Sequence, residues 1–302
     1  GFKIGGVVNY TNEKHYRKVD PRPEILVHNI KGKGFIGYQY QNHLLTAFAG
    51  IGKNTEEAGI MYVDQLLNAP TLEDTFVRFN SGYGFTAFNP TYNKFLNRGI
   101  THLWGAAYQF QKEKNNINIS YQYSKLLEDL YNKSNVSSGS SQIIIDKNQI
   151  THKYRDITHL TKINYHFDGD AVDYLAKAFY KFSKHDNYSV LSQGQNFRYV
   201  ENRFGLENGI LKKENNKTLY AINLGAVYSR NVIRDLLSGV DKKVHYLEVN
   251  LAANTDLYKN EKNRINTEIF AKHYRALSEH LVYNASSSNN TFANQVIFND
   301  HG

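Results

Sequence analysis

Leu219–Ser229 reads LYAINLGAVYS, and every second residue in it suits a different environment. Tyr220, Ile222, Leu224, Ala226 and Tyr228 share one face, and Ala221, Asn223, Gly225 and Ser229 share the other. The pattern returns in Leu247, Val249, Leu251, Ala253 and Leu257 against Glu248, Asn250, Asn254 and Asp256. Beyond the polar turn Asn260–Asn263 it continues in Ile265, Thr267, Ile269 and Ala271 against Asn266, Glu268 and Lys272. Period two is the signature of extended strands with unlike faces. In a soluble sandwich two such apolar faces would close on each other. Here tyrosines cap the apolar set at both ends, as in a lipid-facing band between aromatic girdles. Tyr220 to Tyr228 spans roughly 26 Å along a strand and roughly 20 Å of height at a tilt of about 40°. The stretch predicts a transmembrane β-barrel.

Composition agrees. The chain has 302 residues, of which 41% are hydrophobic, and a mean hydropathy of −0.57. That is too polar for a bundle of membrane helices, but a barrel needs only alternate residues to be apolar. Tyrosine and phenylalanine number 23 and 17 against a single tryptophan, a bias suited to interfaces where one end of the ring is wet. Only four prolines interrupt a chain made mostly of paired strands. The absence of cysteine excludes a disulfide framework and thiolate metal sites. The net charge of +8 permits contact with acidic headgroups, yet the lysines are scattered and form no block of the kind that binds nucleic acid.

Outward from the opening stretch, tight turns alternate with longer loops. Phe2, Ile4, Val8 and Tyr10 mark a first strand, and Val19–Pro23 a loop. Glu24–Gln41 holds one parity from Leu26 to Tyr40, and Asn42 turns it into His43–Val63. Thr101–Gln111 carries Trp104, Ala106, Tyr108 and Phe110 on one face, and Lys112–Asn116 turns it into the alternating strand Ile117–Ser124. Lys133–Gln142 is a low-complexity loop. His152–Phe167, the turn Asp168-Gly169-Asp170, and the run from Val172 to Phe182 form a further hairpin. Asn187–Gln195 and 236–243 read as loops. The expectation is a single all-β domain over 1–302, an antiparallel transmembrane β-barrel with about twelve long strands, short turns on one side and longer loops on the other. Its last strand, begun at Thr291, is expected to be cut at 302, leaving the barrel incomplete or part of a larger one.

Residues 64–99 break the alternation and concentrate aromatic residues in a long outer loop. Such a loop is either functional or a sign of a wrong assignment. Folded inward, Phe76, Phe79, Tyr83 and Phe85 would narrow the lumen, with Arg78 and Lys94 favouring anionic or sugar-like solutes; packed on the rim, the same residues would serve as a docking surface. The motifs Gly82-Tyr83-Gly84-Phe85 and Phe88-Asn89-Pro90-Thr91-Tyr92, with the long Tyr- and Asn-rich strands, resemble outer-membrane barrels of the Bacteroidota in an uncharacterised family. The resemblance implies the barrel fold and a bacterial outer-membrane location, and carries over no functional residues.

The sequence holds no Gly-x-Ser-x-Gly, His-Glu-x-x-His, P-loop or Rossmann fingerprint. His152 and His159, seven apart on one strand, face opposite sides and cannot pair on a metal. Neither catalytic residue, metal nor cofactor is expected. Lys162, Lys177 and Lys272 are expected to face the lumen as ligand-binding candidates, among internal ion pairs with acidic neighbours such as Asp173, Glu207 and Glu248. The leading expectation is a channel or uptake barrel for small polar or anionic solutes, in contact with outer-membrane lipid and without nucleic acid. A plugged structural barrel that docks other outer-membrane proteins is the alternative. A membrane-embedded hydrolase using residues such as His185 and Asp186 at the outer rim comes third, and a soluble β-rich adhesin or carbohydrate-binding domain comes last.

Overall fold

The computed structural model describes residues 1–16, 22–61, 77–80, 86–89, 94–132, 150–190, 193–214, 217–236, 239–259 and 264–283. The strands are β1 (Phe2–Tyr16), β2 (Arg22–Tyr40), β3 (His43–Met61), β4 (Val77–Asn80), β5 (Thr86–Asn89), β6 (Lys94–Lys112) and β7 (Asn115–Asn132). They continue as β8 (Ile150–Asp168), β9 (Val172–Ser189), β10 (Gly194–Glu214), β11 (Lys217–Asp235), β12 (Val240–Lys259) and β13 (Arg264–Tyr283). The fold is all-β. Eleven strands form one antiparallel sheet in the order β1-β2-β3-β6-β7-β8-β9-β10-β11-β12-β13, and β4-β5 is a separate small hairpin. Each strand in the large sheet pairs with its neighbour in the chain except across the β4-β5 insertion. The edge strands β1 and β13 have one partner each among the described residues. No helix among those residues is long and apolar enough to cross a membrane.

Short connections at 41–42, 113–114, 169–171, 215–216 and 260–263 join the strands at one end. The opposite end is joined through 17–21, 62–93, 133–149, 190–193 and 236–239. Two of the short turns bend without glycine: Gln41 and Glu113 both adopt φ of 50°, a left-handed conformation that disfavours a Cβ. The strands run further toward the long-connection end than hydrophobic alternation predicts. β9 and β10 extend through Asn187, Tyr188 and Gln195, so the loop expected over 187–195 shrinks to 190–193, and the one expected over 236–243 shrinks to 236–239. β6 begins at Lys94, pairing Lys94 with Gly59 and Leu96 with Glu57, which moves the end of the 64–99 loop back to 93. β2 likewise starts at Arg22 rather than beyond Pro23. The strand expected from Thr291 lies outside the described residues.

The two faces of the sheet are unlike. Along β11, Ala221, Gly225, Val227 and Ser229 are buried while Tyr220, Ile222, Leu224, Ala226 and Tyr228 are exposed. A flat single layer would expose both faces alike. The polar face is therefore the crowded one, as on the concave side of a curved sheet. Among the described residues, only Leu96, Ala221, Val227 and Val240 are buried apolar side chains, whereas Asp173, Ser183, Glu201, Ser229 and Asp235 are buried although polar. This inverts the usual order of a globular protein, in which large apolar side chains are inside and charged ones outside.

Candidate functional site

Cross-strand register places the polar face in rows. One row runs Asn118, Asn164, Lys177, Glu207, Gly225, Asn250, Lys272 from β7 to β13. The adjacent row carries Ser120, Lys162, Phe179, Gly205, Val227 and Glu248. The three lysines expected at the lumen therefore share one face on neighbouring rows. Lys177 Nζ lies 3.1 Å from Glu207, and Lys272 Nζ lies 3.0 Å from Glu248. Lys162 makes no ion pair among the described residues. It borders a hollow of about 220 Å³ together with Asn164, Lys177, Glu207 and Asn250. Higher on the same face, Lys181 donates to Glu201 at 2.7 Å, and Glu128 accepts from the amides of Asn54 and Asn97. Tyr154 and His185 join at 2.8 Å, with Asp156 at 3.4 Å from the same imidazole. Opposite charges thus alternate along a wet wall without a dominant sign.

Aromatic rings on this face lie over glycines of the neighbouring strand. A Cβ built on Gly5 would stand 2.3 Å from the Phe35 ring, and one on Gly205 would stand 2.2 Å from the Phe179 ring. Gly105 is pressed on two sides, by Phe48 at 2.5 Å and by the Tyr121 carbonyl at 2.2 Å. Lys33 Nζ sits 3.8 Å above the centre of the Phe48 ring. These rings cover bare backbone that would otherwise meet water, and they pin the register through shape.

The opposite, apolar face carries a band with a sloping border. On β1 the first polar side chain above the apolar run is Asn12. On β13 it is His273, in the same cross-strand row as Phe2. Between them the border passes Lys53 on β3, Lys125 on β7 and Arg230 on β11, in the rows of Tyr10, Val8 and Gly6. The drift is ten residues over ten strand steps. With rises of about 3.3 Å and strand spacings of about 4.8 Å, a level belt would produce this slope on strands tilted by about 35°. Barrel strands in outer membranes tilt by that amount. On β9 the band runs from Val172 to Phe182, roughly 27 Å of height at the same tilt. Aromatic side chains mark its upper edge: ring centres are 5.1 Å apart for Trp104 and Tyr123, 5.0 Å for Tyr123 and His159, and 5.8 Å for His159 and Phe182.

Immediately above the band stands a collar of one sign. On β3 and on each of β6 to β13, the first formal charge met on this face beyond the band is Lys or Arg. With 36 basic and 28 acidic residues in the chain, chance would mix the signs. The collar's densest part surrounds Asp186, which sequence reading placed with His185 at a hydrolase rim. The pair does not exist: consecutive strand residues point to opposite faces. His185 belongs to the polar wall. Asp186 instead accepts from Arg155 Nη2 at 2.6 Å, Arg198 Nε at 2.8 Å and Gln195 Nε2 at 2.6 Å. Ser183, the hydroxyl nearest His185 along β9, is fully buried and joins Thr158 at 3.1 Å, so it offers no open nucleophile.

Among the aromatic-loop candidates, Phe76, Tyr83 and Phe85 lie outside the described residues. Arg78 and Phe79 fall in β4, and Lys94 opens β6 rather than belonging to the loop. The Arg155–Asp186–Arg198 cluster escaped sequence reading because its members are 31 and 12 residues apart and meet only through the strand register. Residues 1–302 match the model of a family of unknown function, DUF6850, and the chain belongs to that family. No curated protein matches it.

Proposed function

We propose that this DUF6850 member works as the wall of a transmembrane β-barrel in the bacterial outer membrane and passes small polar or anionic solutes along its polar face. The observation that carries the reading is the inverted burial combined with the sloping apolar band. Ile222, Leu224 and Leu251 are 46%, 53% and 45% exposed in mid-strand, while buried side chains on the other face are mostly polar. Water would make that arrangement unfavourable by about 25 cal/mol for each Å² of exposed apolar surface, and lipid removes the cost. Short connections would face the periplasm and long ones the exterior. A bilayer tolerates no unpaired strand edge, so the edges of β1 and β13 must be covered within the membrane.

The mixed, paired charges of the polar wall suit small polar solutes and imply weak ion selectivity. Lys162, like Lys31, Lys33 and Arg203 on the same face, has no carboxylate partner among the described residues, and it alone of these borders the hollow beside Lys177. Planar-bilayer recording on the purified full chain tests the reading. Open-channel steps should appear, and Lys162→Gln should shift the reversal potential toward cations more than Lys177→Gln does, because Lys177 is already paired with Glu207. A demonstrably inserted protein that conducts nothing would refute transport and favour the plugged docking barrel. Replacing residues 64–92 by a short Gly/Ser linker, which spares the β6 ladder, should raise conductance if that segment narrows the path.

A further inference from the structure

We propose that the hollow framed by Lys153, Arg155 and Arg198 over Asp186 seats the phosphate of a lipid headgroup in the leaflet on the long-connection side. The inference rests on the membrane reading above and adds a specific lipid contact to it. The hollow measures about 510 Å³, within the range of small-ligand sites. It lies on the apolar face, between β7 and β10, and Leu127 and Tyr188 supply its apolar walls. Arg155 stands one same-face position beyond Ile157, roughly 5 Å higher and so at headgroup depth just over the band. An acyl chain could therefore run down along Ile157 while its phosphate stays in the hollow.

The charge and its preorganisation both fit phosphate. Lys153, Arg155 and Arg198 line the hollow and Lys184 adjoins it, 3.5 Å from Asp186, against the carboxylates Glu128, Asp129 and Asp186, of which Glu128 is turned to the polar face and held there by Asn54 and Asn97. Asp186 is only 9% exposed and uses single nitrogens of the two arginines, which leaves donors on each guanidinium for a second acceptor. Holding the arginines on a buried carboxylate fixes their planes before any ligand arrives, and a guanidinium so fixed matches phosphate oxygens in a two-pronged contact. Solvated rim charges would need neither the buried anchor nor the hollow. A lipid is favoured over a free anion because the hollow opens onto the same face as the band rather than onto the polar wall.

Native mass spectrometry of the full chain released from detergent tests this. The probes are phosphatidic acid, the matching diacylglycerol without phosphate, and inorganic phosphate. The expected result is retention of phosphatidic acid well above diacylglycerol, with affinity falling roughly fivefold for each cation removed. The triple variant Arg155→Gln/Asp186→Asn/Arg198→Gln, which leaves no buried charge unpaired, should lose the preference. Lys162→Gln on the polar face, with a comparable loss of charge, should keep it. Equal retention of the two lipids would overturn the proposal, as would a preference that survives the triple variant or inorganic phosphate binding as tightly as the lipid. Insertion of the variants into lipid nanodiscs is scored separately. Failure of the wild type to insert would count against the membrane reading itself, whereas insertion without lipid preference would count against the headgroup site alone.

Discussion

Leu251→Arg and Asn250→Arg differ by one position and should differ by orders of magnitude in effect. Leu251 lies on the apolar face between Leu224 of β11 and Ala271 of β13. It is midway along its stretch of the band, four residues from Leu247 and four from Thr255, and the nearest charges on that face are Arg275 in the row of Leu247 and Lys212 in the row of Thr255. An arginine there would enter hydrocarbon near the midplane, at a cost of about 2–4 kcal/mol, a factor of roughly 30 to 1,000 in the folding constant. Asn250 points the other way, over Gly225 and beside Lys272. Arginine at 250 meets a wet wall and one like charge, so its cost should stay below about 1 kcal/mol. The assay is a urea titration of each variant in phosphatidylcholine vesicles, read by the single tryptophan, Trp104, on the apolar face. Were the apolar face in water, Leu251→Arg would be an ordinary surface change within about 0.5 kcal/mol. Equal costs for the two variants, or a cost that small for Leu251→Arg, would refute the assignment of faces.

Three further outcomes are expected. Cysteines at Ser138 and Gly169 should label from opposite sides of the membrane, so that an impermeant reagent on intact cells reaches only the first; labelling of both would overturn the orientation. Gln41→Gly should stabilise the fold by roughly 1 kcal/mol in the same titration, because φ of 50° strains a side chain there and glycine relieves it; a loss of stability would mean that the turn depends on the glutamine itself. Gly105→Ala should destabilise by about 1–3 kcal/mol, since the new methyl meets the Tyr121 carbonyl and the Phe48 ring, and a neutral result would show that the local packing is looser than these distances imply.

The assignment of faces was legible because alternation survives wherever one side is apolar and the other polar. In β11 the parity of Tyr220, Ile222, Leu224, Ala226 and Tyr228 follows from residue types alone, and so does the placing of the lysines at 162, 177 and 272 on the polar face. The upper strand ends were not legible. Above Phe182, β9 continues through Lys184, His185, Asp186 and Asn187, polar on both faces, so hydrophobic periodicity vanishes while the backbone ladder continues. The same happens where β6 starts at Lys94. The β4-β5 hairpin, with four residues a strand, is too short for any periodicity to register. The Asp186 cluster needed register rather than composition, because Arg155 and Arg198 reach it from two different strands. The slope of the apolar band needed all eleven strands aligned at once, although every residue in it was visible beforehand.

The claim on which the rest depends is that the two faces of this sheet meet lipid and water. Nitroxide labels placed singly along β11 from 220 to 229, with the full chain in bilayers, measure it directly through collision with oxygen and with a polar nickel complex. Oxygen accessibility should peak at 220, 222, 224, 226 and 228, and nickel contact should prevail at 221, 223, 225, 227 and 229. A profile without period two, or nickel contact as strong at 222 and 224 as at 223 and 225, would contradict it.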